Sequence, residues 1–479
     1  MKGSRKKYRR PGTVLALCLA GLVLTGALAG CGDDPAGGNT SGETVATVAG
    51  VETDSLSDSL SYTLPDDRAF TPVDAYAARL TDAFAAATPV PEEDVTYTTD
   101  GGGAVLTGYT GGETVVVIPD TLGGLPVTAV AEGAFRDMSS LRALSLPATV
   151  RSVGFGALQG CRSLATLRTP VMTCGEAGDW FGALFGATSY EINASEVPSS
   201  LTTLLITGGE TVPKGCFYGC TSLEAVGLPE GVKSLEPFAF YGCDSLAYVT
   251  LPDGLVSVGQ YAFAYCPSLL NLSVPASVEA MGISVLEGCG ALETLTLPFV
   301  GESREAADHR YLGYLFGAAD HTFTEGYIPA SLIRLTLLPG CGDIPTNAFY
   351  SCSRLREVIL PEGVTAIGHR AFYRCAYLAA IALPDSLRAI GDEAFKGCAR
   401  LTDVDLSMVA DGQRLGVQCF MNCTSLVTVT LSGSLSALPD GMFSGCTVLS
   451  EVRGNDSLPR SGSAFYGCDR LAGREESGT

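Results

Sequence analysis

The chain has 479 residues, 46% of them hydrophobic and only 17% charged, with 58 glycines; this describes an ordered chain with many tight corners and excludes a disordered one. Acidic side chains number 51 against 30 basic ones, and six of the basic ones sit in residues 1–30, so the remainder carries 24 against 51, a net of −27. Such a charge repels phosphate backbones, and nucleic acid is not expected as a partner.

In chain order, residues 1–30 read as an export signal: the basic stretch "MKGSRKKYRRPG", an apolar run from Val14 to Leu28, then small residues before a cysteine. The run is too short for a permanent membrane span. "LAGC", ending at Cys31, resembles the lipobox of bacterial lipoproteins. The resemblance implies cleavage before Cys31 and a diacylglycerol on its thiol, which with further acylation would hold the protein on a membrane face. Residues 31–60, rich in Gly, Ser, Thr and Asp, read as a flexible tether. Residues 61–94 read as a short helical or irregular segment, in which Val73, Tyr76, Leu80 and Phe84 share one face of a docking helix over 73–87.

From Val95 to Ala472 the chain repeats itself. The unit is clearest in "CTSLEAVGLPEGVKSLEPFAFYGC", Cys220 to Cys243. Phe135, Leu158, Phe217, Phe240, Phe263, Leu286, Phe349, Phe372, Phe395, Phe420, Phe443 and Phe465 hold its aromatic position, at spacings of 22, 23 or 25 residues apart from two long gaps. Those gaps, near 170–200 and 298–331, carry the similar stretches "DWFGALFGATSY" and "RYLGYLFGAADH", each read as one further coil whose return leg has grown into a short helix. In "LEAVGL", Leu223, Val226 and Leu228 point inward and Pro229 ends the strand, because proline cannot donate to a ladder. The expected fold is a repeat solenoid, mainly β with short helical or 3-10 legs, a right-handed leucine-rich-repeat stack of about fourteen coils, followed by a tail at 473–479. One coil buries too little to offset the ordering of its own backbone, so the coils fold only as a stack.

The "AF-x-x-C-x-S-L" junction, the "L-P" strand end and the opening segment Ala104 to Val130 resemble the BspA-type leucine-rich repeat family of bacterial surface proteins. The resemblance implies an extracytoplasmic, surface-exposed protein that binds host matrix proteins, other cells or surface polymers.

The repeat places a cysteine about every 23 residues. Stacked coils sit about 4.8 Å apart, within reach of a disulfide. Eleven cysteines in one file, with Met138 in a twelfth place, do not sort into dedicated pairs. A metal needs ligands converging on one point, and the C-x-x-x-C pairs Cys216/Cys220 and Cys419/Cys423 fall many coils apart. A reduced ladder packed in the core is favoured, with bridges between some neighbours left open. So many free thiols in an exported protein imply a reducing habitat.

Catalytic signatures are few. The chain has three histidines, His309, His321 and His369, and none of G-x-S-x-G, H-E-x-x-H or the P-loop pattern. Asp308/His309 and Asp320/His321 read as surface loops beside the second long coil. Asp403 and Asp405 share a strand face at a separation that inverting glycosidases also use, but they read as a solvated acidic spot. Trp180, Phe181, Phe185, Tyr311, Tyr314 and Phe316 read as core of the long coils, and the glycines at 101–103 as a turn. No cofactor is expected.

The outward strand positions give Ala/Ser (143, 145), Tyr248/Thr250, Asn271/Ser273, Thr294/Thr296, Ala380/Ala382 and Thr428/Thr430, a flat and mostly neutral face suited to a macromolecule. Tyr248, Thr250, Asn271, Thr294, Thr296, Asp403, Asp405, Thr428 and Thr430 form the candidate surface of a lipid-anchored, non-catalytic binding or adhesion module for an extracellular protein or glycan. The alternatives are an enzyme or polysaccharide-processing accessory using the long coils, and a structural spacer.

Overall fold

The computed structural model describes residues 71–82, 84–175, 178–410, 414–459 and 462–472, all within one compact unit, Arg68–Thr479. The export segment, Cys31, the tether and the tail at 473–479 lie outside the described residues. No helix among the described residues is long and apolar enough to cross a membrane.

Each repeat forms one coil with three walls. The first is a strand whose alternate residues face inward: Leu223, Val226 and Leu228 are buried. Strands of successive coils pair in parallel and in strict register, Ala225 opposite Tyr248, Val226 opposite Val249, Gly227 opposite Thr250. Sheets of six, five and three strands make up this wall, fourteen strands from Val115–Val117 to Glu451–Arg453.

Two-residue strands such as Ser234–Leu235, Ser257–Val258 and Ala280–Met281 stack in parallel to form the second wall. The glycine that follows several of them has a packing duty. A Cβ on Gly282 would sit inside the van der Waals shell of Gln260 N and Cα, and one on Gly391 would meet the backbone of His369. Only a residue without a side chain lets neighbouring coils approach this closely.

The Ala-Phe turn makes the third wall. Its amides donate to the following coil, Phe240 N to Ala262 O at 2.7 Å and Gly242 N to Ala264 O at 2.9 Å. Two residues per turn take left-handed backbone, and glycine serves at the second of them in coils such as Gly242 (φ 69°) and Gly397 (φ 80°). Inside the turn the phenyl rings stack in two columns, Phe217–Phe240–Phe263 and Phe349 through Phe465, with centroid separations of 4.9 to 5.7 Å. Leu286 interrupts them, as the sequence indicates.

The cysteine file runs beside the rings. All fifteen described cysteines are free, and all but Cys174 are buried. They do more than fill space. Nine thiols donate to the carbonyl of the preceding coil's aromatic-position phenylalanine, for example Cys243 Sγ to Phe217 O and Cys266 Sγ to Phe240 O, both at 3.1 Å. A carbonyl that already accepts the amide of its own turn, as Phe217 O does from Cys220 N, thus gains a second partner without a strongly polar group being buried.

The short helical legs expected in the two long coils are 3-10 turns, Phe181–Phe185 and Tyr190–Ile192 in the first and Leu312–Phe316 and His321–Gly326 in the second, with one α-helical turn at Asn193–Glu196. They are built alike. Trp180 Nε1 donates to Ala187 O and Tyr311 Oη to Ala318 O, both at 2.9 Å. The first coil closes on Asn193, fully buried, whose Oδ1 accepts from Gly182 N and whose Nδ2 donates to Cys216 O. Thr324 occupies the matching place in the second coil, buried and with its hydroxyl unpartnered.

At the N-terminus, strands Val95–Asp100 and Gly103–Tyr109 form an antiparallel hairpin through the turn at Gly101 and Gly102. Ahead of it lies helix α1, Thr71–Asp82, shorter than the expected 73–87. Phe84 falls in the turn beyond the helix, while Leu80 is buried and Tyr76 half-buried.

Candidate functional surface

Helix α1 packs on the outward side of strands Thr203–Ile206, Ala225–Gly227 and Tyr248–Thr250. Gly227 leaves a notch there, and a Cβ at that position would touch Leu80 and Leu205. Arg79 Nη1 anchors the helix to Glu224 at 2.6 Å. The chain then continues to Val90, whose amide donates to Val117 O on the edge strand. Residues 84–90 therefore cross the two strands in between. Ala143 and Ser145, expected on the outward face, do point outward, but both are buried beneath this segment and offer no contact surface. Sequence alternation reports which way a side chain points but not what comes to lie on it.

Beyond the helix the strand face is open. Asn271, Thr294, Thr296, Thr428 and Thr430 are half-exposed on it, and Tyr248 and Thr250 flank the helix. Thr294 Oγ1 donates to Asn271 Oδ1 across coils. Asp403 and Asp405 are both exposed on strand Asp403–Leu406; Asp403 Oδ2 accepts from Thr402 Oγ1 and Asp405 Oδ1 from the Ser407 amide. The face is less neutral than expected. Arg334 and Glu357 form a cross-coil ion pair at 2.6 Å, and Glu451 with Arg453 adds another at the far end.

The histidines do not meet. His309 Nδ1 pairs with Glu302 at 2.8 Å and its ring stacks on Tyr314, whereas His321 lies beside Asp320 and Tyr350. No group of three or more His, Cys, Asp or Glu side chains among the described residues is placed to hold a metal. Of the aromatic residues in the long coils, Phe181, Phe185, Tyr311, Tyr314 and Phe316 are buried, and Trp180 is half-buried. A cleft of about 650 Å³ lies between the Arg136 turn and the first long coil, its Arg136 and Arg162 balanced by Asp137 and Glu196. The thiols are chemically quiet: burial pushes Cys161 up to about 11 and Cys174 and Cys468 to about 12, and Cys243 and Cys266 also upward.

On the turn side, Tyr218 and Tyr241 stack with centroids 4.9 Å apart, and Tyr350 and Tyr373 do the same. Their ring faces cover one another, which leaves edges and not platforms for a sugar.

The sequence model described as BspA type Leucine rich repeat region matches in six copies, over residues 116–181, 189–304 and 342–472. No curated protein matches the chain. Among solved structures it is similar to a leucine-rich repeat protein from Bacteroides ovatus, at 25% identity over 80% of this chain and 93% of that one, with a TM-score of 0.36. A leucine rich cell surface protein from Faecalibacterium prausnitzii is 24% identical over 79% and 98%, with a TM-score of 0.31. The pneumococcal vaccine antigen PcpA is 18% identical over 78% and 86%, with a TM-score of 0.28.

Proposed function

The chain belongs to the BspA-type leucine-rich repeat family, and from that premise we propose that it is a cell-surface binding or adhesion module with no chemistry of its own. Lipid on Cys31 holds it to a bacterial membrane, and its partner is an extracellular protein or glycan. The contact surface is the strand face through Tyr248, Thr250, Asn271, Thr294, Thr296, Asp403, Asp405, Thr428 and Thr430. The observation that carries this reading is the open part of that face: from Asn271 to Thr430 helix α1 no longer covers it, while the same face is covered at Ala143, Ser145 and Ala225. Its width and its lack of an enclosing pocket suit a macromolecule more than a small substrate.

The test is retention of the full-length protein on an array of matrix proteins and cell-wall glycans, repeated with Thr294→Arg and Thr428→Arg. A ligand retained by the parent and lost by both variants supports the strand face. Retention of nothing puts the structural spacer ahead, and equal retention by the variants moves the contact elsewhere.

A further inference from the structure

Internal repeats supply their own controls, because a position that is uniform in most coils and different in a consecutive few has been released from its structural duty there. The third position of the coil, just ahead of the first inward leucine, is serine at 140, 163, 200, 222, 245, 268, 331 and 425, and alanine, valine and arginine at 291, 448 and 470. Where the serine follows a long coil it bonds back across the stack, Ser200 Oγ donating to Leu164 O at 2.7 Å and Ser331 Oγ to Leu292 O at 2.8 Å. Three consecutive coils place the large side chains of Arg354, Tyr377 and Arg400 there.

These three side chains form one ladder at the corner between the turn wall and the strand face. The Arg354 guanidinium lies 5.4 Å and that of Arg400 5.1 Å from the Tyr377 ring centroid, which caps the separation of the two charges at 10.5 Å. All three side chains are exposed. Beside them Arg374 (φ 57°) takes a left-handed backbone position that glycine fills in other coils, and Arg356 is exposed nearby. Although acids outnumber bases 51 to 30 in the chain, none of Arg354, Arg356, Arg374 and Arg400 makes an ion pair among the described residues. Four unneutralised guanidinium groups on so acidic a protein, two of them held in place by a ring, form a preorganised anion site.

We propose that the Arg354–Tyr377–Arg400 ladder binds a linear acidic polysaccharide that carries a carboxylate on every second sugar. The ladder offers one guanidinium on every second coil, and coils rise roughly 4.8 Å, about the length of one pyranose unit, so successive carboxylates come into register with Arg354 and Arg400. Each is then taken by a forked pair of N–H donors. The observations favour a glycan over an extended acidic peptide. Interior strands such as Glu357–Ile359 bond neighbours on both edges, so a peptide gains no main-chain hydrogen bonds by lying alongside. This site is separate from the candidate residues of the strand face and stands whether or not that face binds a partner.

The experiment measures binding of the full-length protein to hyaluronan, which alternates uronate with a neutral sugar, with dextran and poly-L-glutamate as comparisons. The variant is Arg354→Ser with Tyr377→Ser and Arg400→Ser, which installs the residue that eight other coils carry and should therefore melt as the parent does. Expected are hyaluronan binding that weakens with salt, no binding to dextran, and a loss of about a hundredfold in the triple variant if each arginine contributes about tenfold. Arg354→Lys with Arg400→Lys keeps the charge, removes the fork and should lose part of the affinity; it decides the matter if the triple variant melts low. No binding by the parent, or unchanged binding by these variants, overturns the proposal. Poly-L-glutamate bound as tightly as hyaluronan and lost in the same variants replaces the glycan with an acidic peptide and also overturns it.

Discussion

Alkaline pH should dismantle the column through its thiols. In the coils from Cys216 to Cys289, burial holds Cys216, Cys220, Cys266 and Cys289 protonated far above the ordinary thiol range and pushes Cys243 upward too, whereas in the unfolded chain a thiol ionises near pH 8.5. A group whose folded pKa is raised keeps its full contribution to stability below the unfolded value and loses it as pH climbs above. Each such thiol then removes about 1.4 kcal/mol per pH unit. If the four strongly shifted thiols open together, the loss is roughly 6 kcal/mol per unit above about pH 9, comparable with the whole stability of an ordinary domain. The assay is urea unfolding of the reduced protein under anaerobic conditions, at half-unit steps from pH 8 to 10.5. Cys220→Ser with Cys266→Ser removes two strongly shifted titrating groups and should shallow the slope by about 3 kcal/mol per unit, while tyrosine ionisation, common to both proteins, cancels in the comparison. Stability that stays flat through pH 10.5, or equal slopes in parent and variant, would refute the reasoning.

Gly282→Ala should destabilise by about 3 kcal/mol, because the new methyl meets Gln260 backbone and not a movable side chain; a midpoint within error of the parent contradicts the close approach. In the long coils, Thr324→Asn should stabilise by about 1–2 kcal/mol by supplying the amide group that Asn193 uses, and Asn193→Ala should cost about 2–3 kcal/mol by stranding Gly182 N and removing one of the two donors to Cys216 O. Differential scanning calorimetry of the pair checks both, and a destabilising Thr324→Asn would show that the second coil is not a copy of the first.

The coil stack was legible because its signal repeats: a 23-residue period, an inward i, i+3, i+5 pattern and proline at strand ends are each written many times over in the chain. The burial of the cysteine file followed from the same repetition. Its hydrogen bond did not, since the partner of Cys243 is the carbonyl of Phe217 one coil away, and sequence says nothing of backbone acceptors. Residues 71–90 were the larger surprise. A helix can be read from Tyr76 and Leu80, but the notch that receives Leu80 is the absence of a side chain at Gly227, more than a hundred residues away. Part of the candidate face was therefore already covered. The Arg354–Tyr377–Arg400 departure was present in the sequence, and its signal was the missing serine; the reading of outward strand positions passed it by because the corner lies outside the strand.

The thiol bonds also give the molecule a direction in time. Each phenylalanine carbonyl waits for a cysteine from the coil that follows it, and each Ala-Phe turn donates its amides forward to that same coil. A chain that emerges N-terminus first therefore always carries one unfinished rung at its growing end, open to the next arrival and to nothing behind it. Growth is thus templated turn upon turn, and the two ends of a cut stack expose different halves of the rung: phenylalanine carbonyls without their thiols at a C-terminal cut, thiols and turn carbonyls without their partners at an N-terminal one.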